Sequence, residues 1–492
     1  MTLSKSINPY SVTNTCSTLI PSKAAWTPNI AGLMLVGLAA MLPLSAFSQQ
    51  SEFSPYSRFG FGLINQMNTP VATGLAGMET AMANAYQFNP GNPASATFLT
   101  QTTLQGSGIM SNLSMRQGED NDATASFGAA GPMGIVVKRK NGKNALILGA
   151  SSYSNSGYAI TRNNDIEGIG VVQERYNGEG GLSNANLGWA RVFRSSRMIA
   201  AGESDSIRVS NRSLHMGIQT QYLFGQVQRS STMDIVDPTF LDHRANVTAQ
   251  HRSISTDIGM ILDQLIRVRY NNDREFENSL ALRVGGVFTP EAKLSSDITQ
   301  LDETTQTLGG IPVNLDTTAF SSLTAYAGRM PRSSNAGVSL HYDRADGMRW
   351  SAGIEYSTTA WSEVADEMAE ELLSDGVNWD NSEALRLGFQ FNLGRSEQRH
   401  PTWGKTSYRF GLATGNQPFT IDGAPIAYQT ASAGATIPLV GSRSLSRIHF
   451  GMEFGTRFTE NSNYEERIYR FNLGVSLMPF FNNNWLVPRL YD

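Results

Sequence analysis

Alternation of apolar side chains with polar residues or glycine, over stretches of roughly ten residues, constrains this chain more than any other feature. Because successive side chains of a β-strand point to opposite faces, each stretch predicts a strand with one apolar and one polar face. In the last stretch Tyr469, Phe471, Leu473, Val475 and Leu477 alternate with Arg470, Asn472, Gly474 and Ser476. The predicted fold class is therefore all-β.

The same pattern recurs along the chain, with turns or loops between its copies. The predicted strands are 103–114, 130–139, 144–155, 181–194, 212–225, 249–262, 279–288, 333–343, 347–358, 384–394, 405–413, 429–438, 443–457 and 466–478. An even number of strands is typical of bacterial transmembrane barrels, and about 9 to 11 tilted residues cross a bilayer. A soluble β-sandwich also alternates, but here the polar face is rich in glycine, as expected where a further segment crowds the inside of a barrel. We predict a transmembrane antiparallel β-barrel of about 14 strands.

Composition agrees with a membrane barrel. Charged residues are 16% of the chain, against about 25% in soluble globular proteins. The net charge of -4 lacks the basic excess of nucleic-acid-binding proteins, so we expect no nucleic-acid partner.

A leader precedes the strands. Residues 30–47 form the only long apolar run, Lys5 and Lys23 stand before it, and the small residues Ala46 and Ser48 follow, a pattern that predicts a cleaved signal peptide. A retained membrane anchor is the alternative. Cys16, the only cysteine, lies before the predicted cleavage point, so the mature chain would have neither disulfides nor cysteine zinc sites.

Loop lengths predict the orientation, because outer-membrane barrels have short periplasmic turns and long outer loops. The predicted short turns are 140–143, 344–347 and 441–443, and the predicted outer loops are 156–180, 228–248, 289–332 and 359–383. The chain is thus expected in the bacterial outer membrane, with both mature termini periplasmic. Two connections that read as long periplasmic loops, 195–211 and 263–278, are exceptions to this rule.

No catalytic motif emerges. The six histidines include no metal-binding pair at helical spacing, and phosphate-binding and dinucleotide-binding glycine motifs are absent, so we predict no enzyme, no metal and no cofactor. Six charges fall on the polar strand face and should line the lumen: Arg283, Glu355, Arg386, Arg409, Glu453 and Arg470. Charges removed from water need partners, so we expect them to pair with one another, with an inner segment or with water; a solute-selective lining is the alternative. The stretch 361–373 reads as a short amphipathic helix in an outer loop, with simple loop packing as the alternative.

A segment without strand alternation lies between the leader and the first strand. It is rich in Gly, Pro and Asn at 54–60, 74–78 and 88–95, and it ends with the motif residues Asn89, Pro90, Asn92, Pro93 and Ala94. This arrangement resembles the FadL-type long-chain fatty-acid transporter family of outer-membrane barrels, in which a glycine-rich hatch ending near an Asn-Pro-Ala motif plugs a fourteen-stranded barrel. Stretches 176–182, 222–225 and 485–491 resemble the diverged FadL-like branch found in bacteria with type IX secretion. The polar loop 291–310 departs from the pattern of a lipid-capturing outer groove.

The resemblance implies four parts: a signal peptide at 1–48, an N-terminal hatch at 49–101, the barrel at 102–480 and a C-terminal periplasmic tail at 481–492. It also implies passive, hatch-gated transport of hydrophobic or amphipathic small molecules. The alternative is a non-transporting barrel that serves as a subunit or anchor of envelope machinery, for type IX secretion or barrel assembly. Expected partners are outer-membrane lipid and, according to which function holds, a hydrophobic small-molecule ligand or envelope proteins. A continuous apolar tunnel or a gap in the barrel wall would favour transport, and a sealed lumen with a large apolar outer patch would favour the subunit.

Overall fold

A computed structural model describes most of the chain between residues 53 and 478. The described residues are 53–64, 68–118, 121–139, 142–200, 206–235, 237, 240–271, 273, 275–308, 311–368, 376–394, 404–439, 445–460 and 462–478. The predicted signal peptide, with Cys16, and the predicted C-terminal tail lie outside these residues.

Antiparallel strands make up most of the described chain. They are β1 (Leu63–Ile64), β2 (Thr103–Gln117), β3 (Asn121–Ala130), β4 (Met133–Lys138), β5 (Asn144–Asn155), β6 (Tyr158–Ile166), β7 (Gly170–Ala200), β8 (Ser206–Ile235), β9 (Asp242–Tyr270), β10 (Phe276–Thr289), β11 (Ala292–Leu308), β12 (Ile311–Met330), β13 (Ser333–Arg344), β14 (Met348–Thr359), β15 (Val377–Trp379), β16 (Ser382–Leu393), β17 (Ser407–Ile421), β18 (Ala424–Pro438), β19 (Arg447–Phe458) and β20 (Tyr464–Leu477).

These strands close into a barrel of 14 strand positions. Around the ring β2 is followed by β3 and β4, which share one position, and then by β5, β7, β8, β9, β10, β13, β14, β16, β17, β18, β19 and β20. Pairing of β20 with β2 completes the closure. Pairing around a ring satisfies the backbone groups of the strands, as a sheet requires in order to cross a membrane. The predicted barrel of about 14 strands is therefore confirmed. Within the described chain the pairing around the ring is incomplete between β3 and β5.

The second strand position differs from its prediction. The stretch 130–139 was predicted as one strand, whereas β3 ends at Ala130 and β4 begins at Met133. Gly131 and Pro132 separate them, and Pro132 has no backbone N–H to donate to a neighbouring strand. The composition of β3, which is mostly small residues and lacks an apolar alternation, explains why its pattern does not stand out in the sequence.

The exceptions 195–211 and 263–278 are mostly strand, so reading them as loops was wrong. β7 pairs with β8 as far as Ala200 with Ser206, and β9 pairs with β10 as far as Tyr270 with Phe276. These hairpins extend beyond the predicted strands, and one of their faces still buries apolar side chains, among them Ile207, Val209 and Leu265. At the opposite end, β6, β11, β12 and the extended parts of β7, β8 and β9 continue the same sheet beyond the ring, and we call this extension the distal sheet.

Side chains divide between the two faces as the alternation predicts. On β16, Leu385, Leu387 and Phe389 are exposed on the outside, while Arg386 is buried inside. On β20 the outward residues are Tyr469, Phe471, Leu473, Val475 and Leu477. The outer surface is thus an apolar band suited to lipid, and the inner face carries the polar groups.

Helical structure is sparse. A single α-helical turn, α1, spans Pro70–Thr73, and 3-10 turns span Pro55–Arg58, Pro93–Phe98, Trp361–Glu363 and Ala365–Glu367. None of the described helices is long and apolar enough to cross a membrane. The stretch 361–373 was expected to form an amphipathic helix, but its described part forms two short 3-10 turns instead. Trp361, Val364 and Met368, in and beside these turns, are buried in an apolar cluster.

Candidate functional site

The described part of the predicted hatch, residues 53–64 and 68–101, packs against the inner face of the barrel. We call it the N-terminal segment. One glycine on each of ten consecutive strand positions contacts it: Gly217, Gly259, Gly285, Gly337, Gly353, Gly388, Gly411, Gly434, Gly451 and Gly474. Several are direct pairing partners, such as Gly217 with Gly259 and Gly388 with Gly411. This glycine belt lets the segment approach the wall backbone closely.

The motif residues organise the end of the N-terminal segment. Asn92 caps the turn Pro93–Phe98: its side-chain oxygen accepts from the Ala94 N–H at 3.0 Å and its side-chain amide donates to the Thr80 carbonyl at 2.7 Å. Asn89 donates to the Met82 carbonyl at 3.1 Å. A Cβ on Gly217 would lie 2.6 Å from the Ala94 nitrogen, so the motif fits only against a bare strand backbone. Pro90 lines a cavity between this segment and the barrel wall.

Adding one side chain to the belt should loosen the N-terminal segment. A Cβ on Gly285 would collide with the Thr80 carbonyl, whereas on the adjacent Gly286 the nearest atom is 3.8 Å away. We expect Gly285→Val to destabilise docking of the segment by about 1–3 kcal/mol, the usual cost of overpacking, and to expose it to protease. Gly286→Val should leave both the protease pattern and the urea midpoint of the assembled barrel unchanged. Equal protection in the two variants would contradict the close packing.

The six predicted inner charges all lie on the lumen side, and each has polar partners. Arg386 Nη1 lies 3.6 Å from Glu355 Oε1, and Arg470 Nη1 lies 3.1 Å from Glu453 Oε1. Arg283 pairs with Asp263 at 3.1 Å and donates to the Ala83 carbonyl at 2.8 Å.

Two of these charges hold the N-terminal segment itself. Glu355 Oε2 accepts from the Thr80 N–H at 2.7 Å and from the Glu79 N–H at 3.0 Å. Arg283 reaches the segment through Ala83. Arg409, by contrast, donates to Gln390 and Thr436, both at 2.7 Å. The charges therefore tie strand to strand and wall to segment.

A buried cluster at the start of the N-terminal segment was not found from the sequence. Arg457 Nη1 contacts Glu466 Oε2 at 2.7 Å, Tyr464 donates to Glu466 at 2.9 Å, and the Ser54 hydroxyl donates to the same carboxylate at 2.5 Å. Glu466 and Ser54 are fully buried. The only sequence signal of this cluster is that Arg457 and Glu466 occupy inward-facing positions on neighbouring strands. Many other residues occupy such positions.

Histidines on the inner face are held by hydroxyl groups. His449 contacts Thr436 at 2.8 Å and Ser476 at 2.9 Å, and His341 contacts Ser339 at 2.8 Å and Ser351 at 2.9 Å. Within the described residues, no three His, Cys, Asp or Glu side chains are placed to hold a metal ion.

A cavity of about 420 Å³ lies in the lumen between the N-terminal segment and the barrel wall. Glu79 of the segment faces it and accepts from the Gly91 N–H at 2.7 Å. Burial raises the pKa of Glu79 to about 7, and the nearby carboxylate of Glu355 acts in the same direction. Asp257, Glu355, Arg386 and Arg470 also line the cavity. We call this space the lumen cavity.

The barrel wall is interrupted beside the lumen cavity. β4 pairs with residues 145–150 of β5, and β1 pairs with Ser154 and Asn155. Between them, residues 151–153 have no strand neighbour on that side within the described chain, and the described β3 pairs with β2 alone. We call this interruption the window. Residues 151–153 also line the lumen cavity, so window and cavity adjoin.

The N-terminal segment lies behind the window. The Ser54 N–H donates to the Gly157 carbonyl at 2.7 Å, and the Ser154 hydroxyl donates to the Phe61 carbonyl at 2.7 Å. On the other side, Phe53 packs near Phe127 of β3. The segment therefore covers, from inside, the place where β3 and β5 do not pair.

Three solved structures to which the chain is similar are distant from it in sequence. The Ralstonia pickettii toluene transporter TbuX has 11% identity and a TM-score of 0.49, and the match covers 84% of this chain and 98% of TbuX. The CymD monoaromatic hydrocarbon channel has 14% identity and a TM-score of 0.48, and the match covers 84% of this chain and 98% of CymD. A Pseudomonas aeruginosa FadL homologue bears the name of the family that the sequence resembles. It has 13% identity and a TM-score of 0.45, and the match covers 85% of this chain and 99% of the homologue.

No curated protein matches the sequence. A family model described as BamG matches residues 32–492. Because this match covers most of the chain, including the N-terminal segment and the barrel, the chain belongs to the BamG family.

Proposed function

We propose that this chain is an outer-membrane barrel through which a hydrophobic or amphipathic small molecule passes without energy input, entering through the window and gated by the N-terminal segment. The short turns and both mature termini would lie in the periplasm, as the loop lengths predict. Passage would require the segment to move, because it fills the lumen against the glycine belt.

The window is the observation that carries this proposal. A closed ring of hydrogen-bonded strands offers lipid-dissolved molecules no way in, whereas a stretch of wall without strand pairing does. The break between β3 and β4 at Gly131 and Pro132 follows from the sequence, because proline has no backbone N–H to donate to a neighbouring strand. The position of the window beside the lumen cavity gives an entering molecule a place to bind.

Locking the N-terminal segment to the wall tests the gate. Ile64 and Ser154 are direct partners in the β1–β5 pair, a geometry within reach of a disulfide. In a chain carrying Cys16→Ser, we expect oxidised Ile64→Cys/Ser154→Cys to lose uptake of a fluorescent fatty acid into protein-containing vesicles. Reduction should restore uptake.

The control is a pair that does not touch the segment. Val284 and Val338 are outward-facing partners on β10 and β13, and oxidised Val284→Cys/Val338→Cys should transport normally. If the locked Ile64–Ser154 pair transports as well as its reduced form, the gate proposal fails.

The second candidate is a barrel subunit or anchor of envelope machinery, such as type IX secretion or barrel assembly. It is favoured by the distal sheet, whose strand β12 pairs only with β11 among the described residues and exposes Leu315 and Phe320. A long unpaired edge can accept a strand from another protein. Stable copurification of envelope proteins from native membranes, lost on replacing Phe320, together with absent fatty-acid uptake would favour this candidate over transport.

A further inference from the structure

We infer that the lumen cavity binds the primary ammonium headgroup of an amphipathic ligand, with Asp257 as the principal partner. This inference rests on the proposed transport function and names the class of molecule that the site would accept. It follows from a row of hydrogen bonds that ends on Asp257, from carboxylates that have no ion-pair partner among the described residues, and from the apolar residues that line the rest of the cavity.

A row of side chains along one cavity wall donates toward Asp257. The Ser151 hydroxyl donates to Asn184 Oδ1 at 2.7 Å, and the Asn184 amide donates to Gln221 Oε1 at 2.9 Å. The Gln221 amide and the Thr289 hydroxyl then donate to the two Asp257 carboxylate oxygens, the latter at 2.7 Å. This row crosses five strands, β5, β7, β8, β9 and β10, and ends on one carboxylate that is only 5% exposed.

Asp257 lacks a cationic partner in the described part of the chain. The arginines that line the lumen cavity are engaged elsewhere: Arg386 with Glu355, Arg470 with Glu453 and Arg457 with Glu466. Glu79 likewise accepts from a backbone N–H and forms no ion pair with any described residue. A carboxylate withdrawn from water is costly unless a positive charge or further donors compensate it. A bound cation would supply that compensation.

Two buried side-chain oxygens on β7 and β8, in the same wall as Asp257, lack a hydrogen-bond donor. Gln219 lines the lumen cavity and is 2% exposed, yet its side-chain Oε1 has no hydrogen-bond partner. The Asn186 side-chain oxygen, in the same wall, is also unpartnered. A primary ammonium carries three N–H donors, whereas a carboxylate or a quaternary ammonium carries none. The wall therefore suits a primary ammonium.

The remaining lining suits an apolar tail. Ile64, Leu223, Met330 and Trp361 line the cavity, and they belong to or pack against the apolar cluster formed with the N-terminal segment. The window at residues 151–153 adjoins the same space. A volume of about 420 Å³ falls within the usual range of small-molecule sites. Headgroup and tail thus have separate environments in one cavity.

Binding of three water-soluble probes with the same tail tests the inference: hexylammonium, hexanol and hexanoate, titrated calorimetrically into the full chain in detergent. We expect hexylammonium to bind at least about tenfold more tightly than hexanoate, because a charge-assisted hydrogen bond is worth that factor or more. Asp257→Asn should lower the hexylammonium affinity about tenfold and leave hexanol binding unchanged. Asp316→Asn, on exposed β12 away from the cavity, should have no effect.

The outcomes separate the inference from the proposed function. Equal affinity for the three probes, or a hexylammonium affinity that Asp257→Asn does not change, overturns the ammonium site but leaves amphiphile transport standing. Absence of binding by all three contradicts both. If Asp257→Asn fails to assemble, Glu79→Gln, on the N-terminal segment, provides a second measure, and it should also weaken hexylammonium more than hexanol.

Discussion

Phe389→Arg should sharply reduce the amount of assembled barrel. Phe389 is 42% exposed on the outer face of β16, where its ring packs beside Phe391. A charge on the lipid-facing side of a barrel strand costs about 2–4 kcal/mol near the bilayer midplane. The free energy of unfolding in lipid vesicles, followed by the heat-modifiable mobility of the folded barrel in a urea titration, should fall by that amount. Leu473→Arg, at a position 52% exposed on β20, should behave in the same way.

Phe320→Arg provides the matched control. Phe320 is 66% exposed, but it lies on β12 in the distal sheet, outside the barrel ring. The same chemical change there meets water rather than lipid, so its cost should stay within about 0.5 kcal/mol. Equal losses for Phe389→Arg and Phe320→Arg would mean that the outer face of β16 does not contact lipid.

Strand phase is the part of this fold that the sequence predicts well. Each side chain of a transmembrane strand faces either lipid or the lumen. An unbroken alternation such as Tyr469 to Leu477 therefore allows only one assignment of the two strand faces. Most of the fourteen strand positions follow from that rule, but the second does not, because β3 lacks an apolar alternation. The rule weakens where the apolar run is short, as in the hairpin ends after Arg194 and Leu262, which read as loops although Ile207, Val209 and Leu265 are buried there.

Local alternation does not report how full the lumen is. Gln390 and Ser476 fall on the inward-facing side of their strands, so strand alternation alone predicts that an added arginine is milder there than on the lipid-facing side. Ser476 is instead fully buried and bonded to His449, so a long side chain there would have no space. Glycine on the inner phase is the one sequence signal of a filled lumen, and the belt around the N-terminal segment accounts for it.

Partners across the lumen are the least predictable part of the site. The inner charges could be named from their phase, but the pairing of Arg283 with Asp263, or of Ser54 with Glu466 across 412 positions of sequence, depends on ring closure and on where the N-terminal segment lies. Asp257 belongs to the same group: nothing local distinguishes it from other inner polar residues. The window could not be predicted for a related reason: whether two strands pair depends on both of them, and the sequence of one strand does not show it.

Barrel stability should survive loss of the N-terminal segment. The buried ion pairs Arg457–Glu466, Arg386–Glu355 and Arg470–Glu453 join wall residues to one another. The closing β2–β20 pair also lies wholly within the wall. Deleting residues 54–94 therefore removes the filling but leaves the ring of backbone hydrogen bonds, which is what a membrane barrel requires.

Deletion of residues 54–94 should convert a closed barrel into an open one. The segment contacts ten of the fourteen strand positions through the glycine belt, so its removal empties most of the lumen. Water should enter and hydrate the inner charges, because these no longer face the segment. Single barrels in planar bilayers should then show a stable ohmic conductance, while the oxidised Ile64→Cys/Ser154→Cys chain should stay at baseline. A deleted chain that assembles, as judged by heat-modifiable mobility, yet conducts no better than this locked reference would show that the wall, not the segment, closes the barrel.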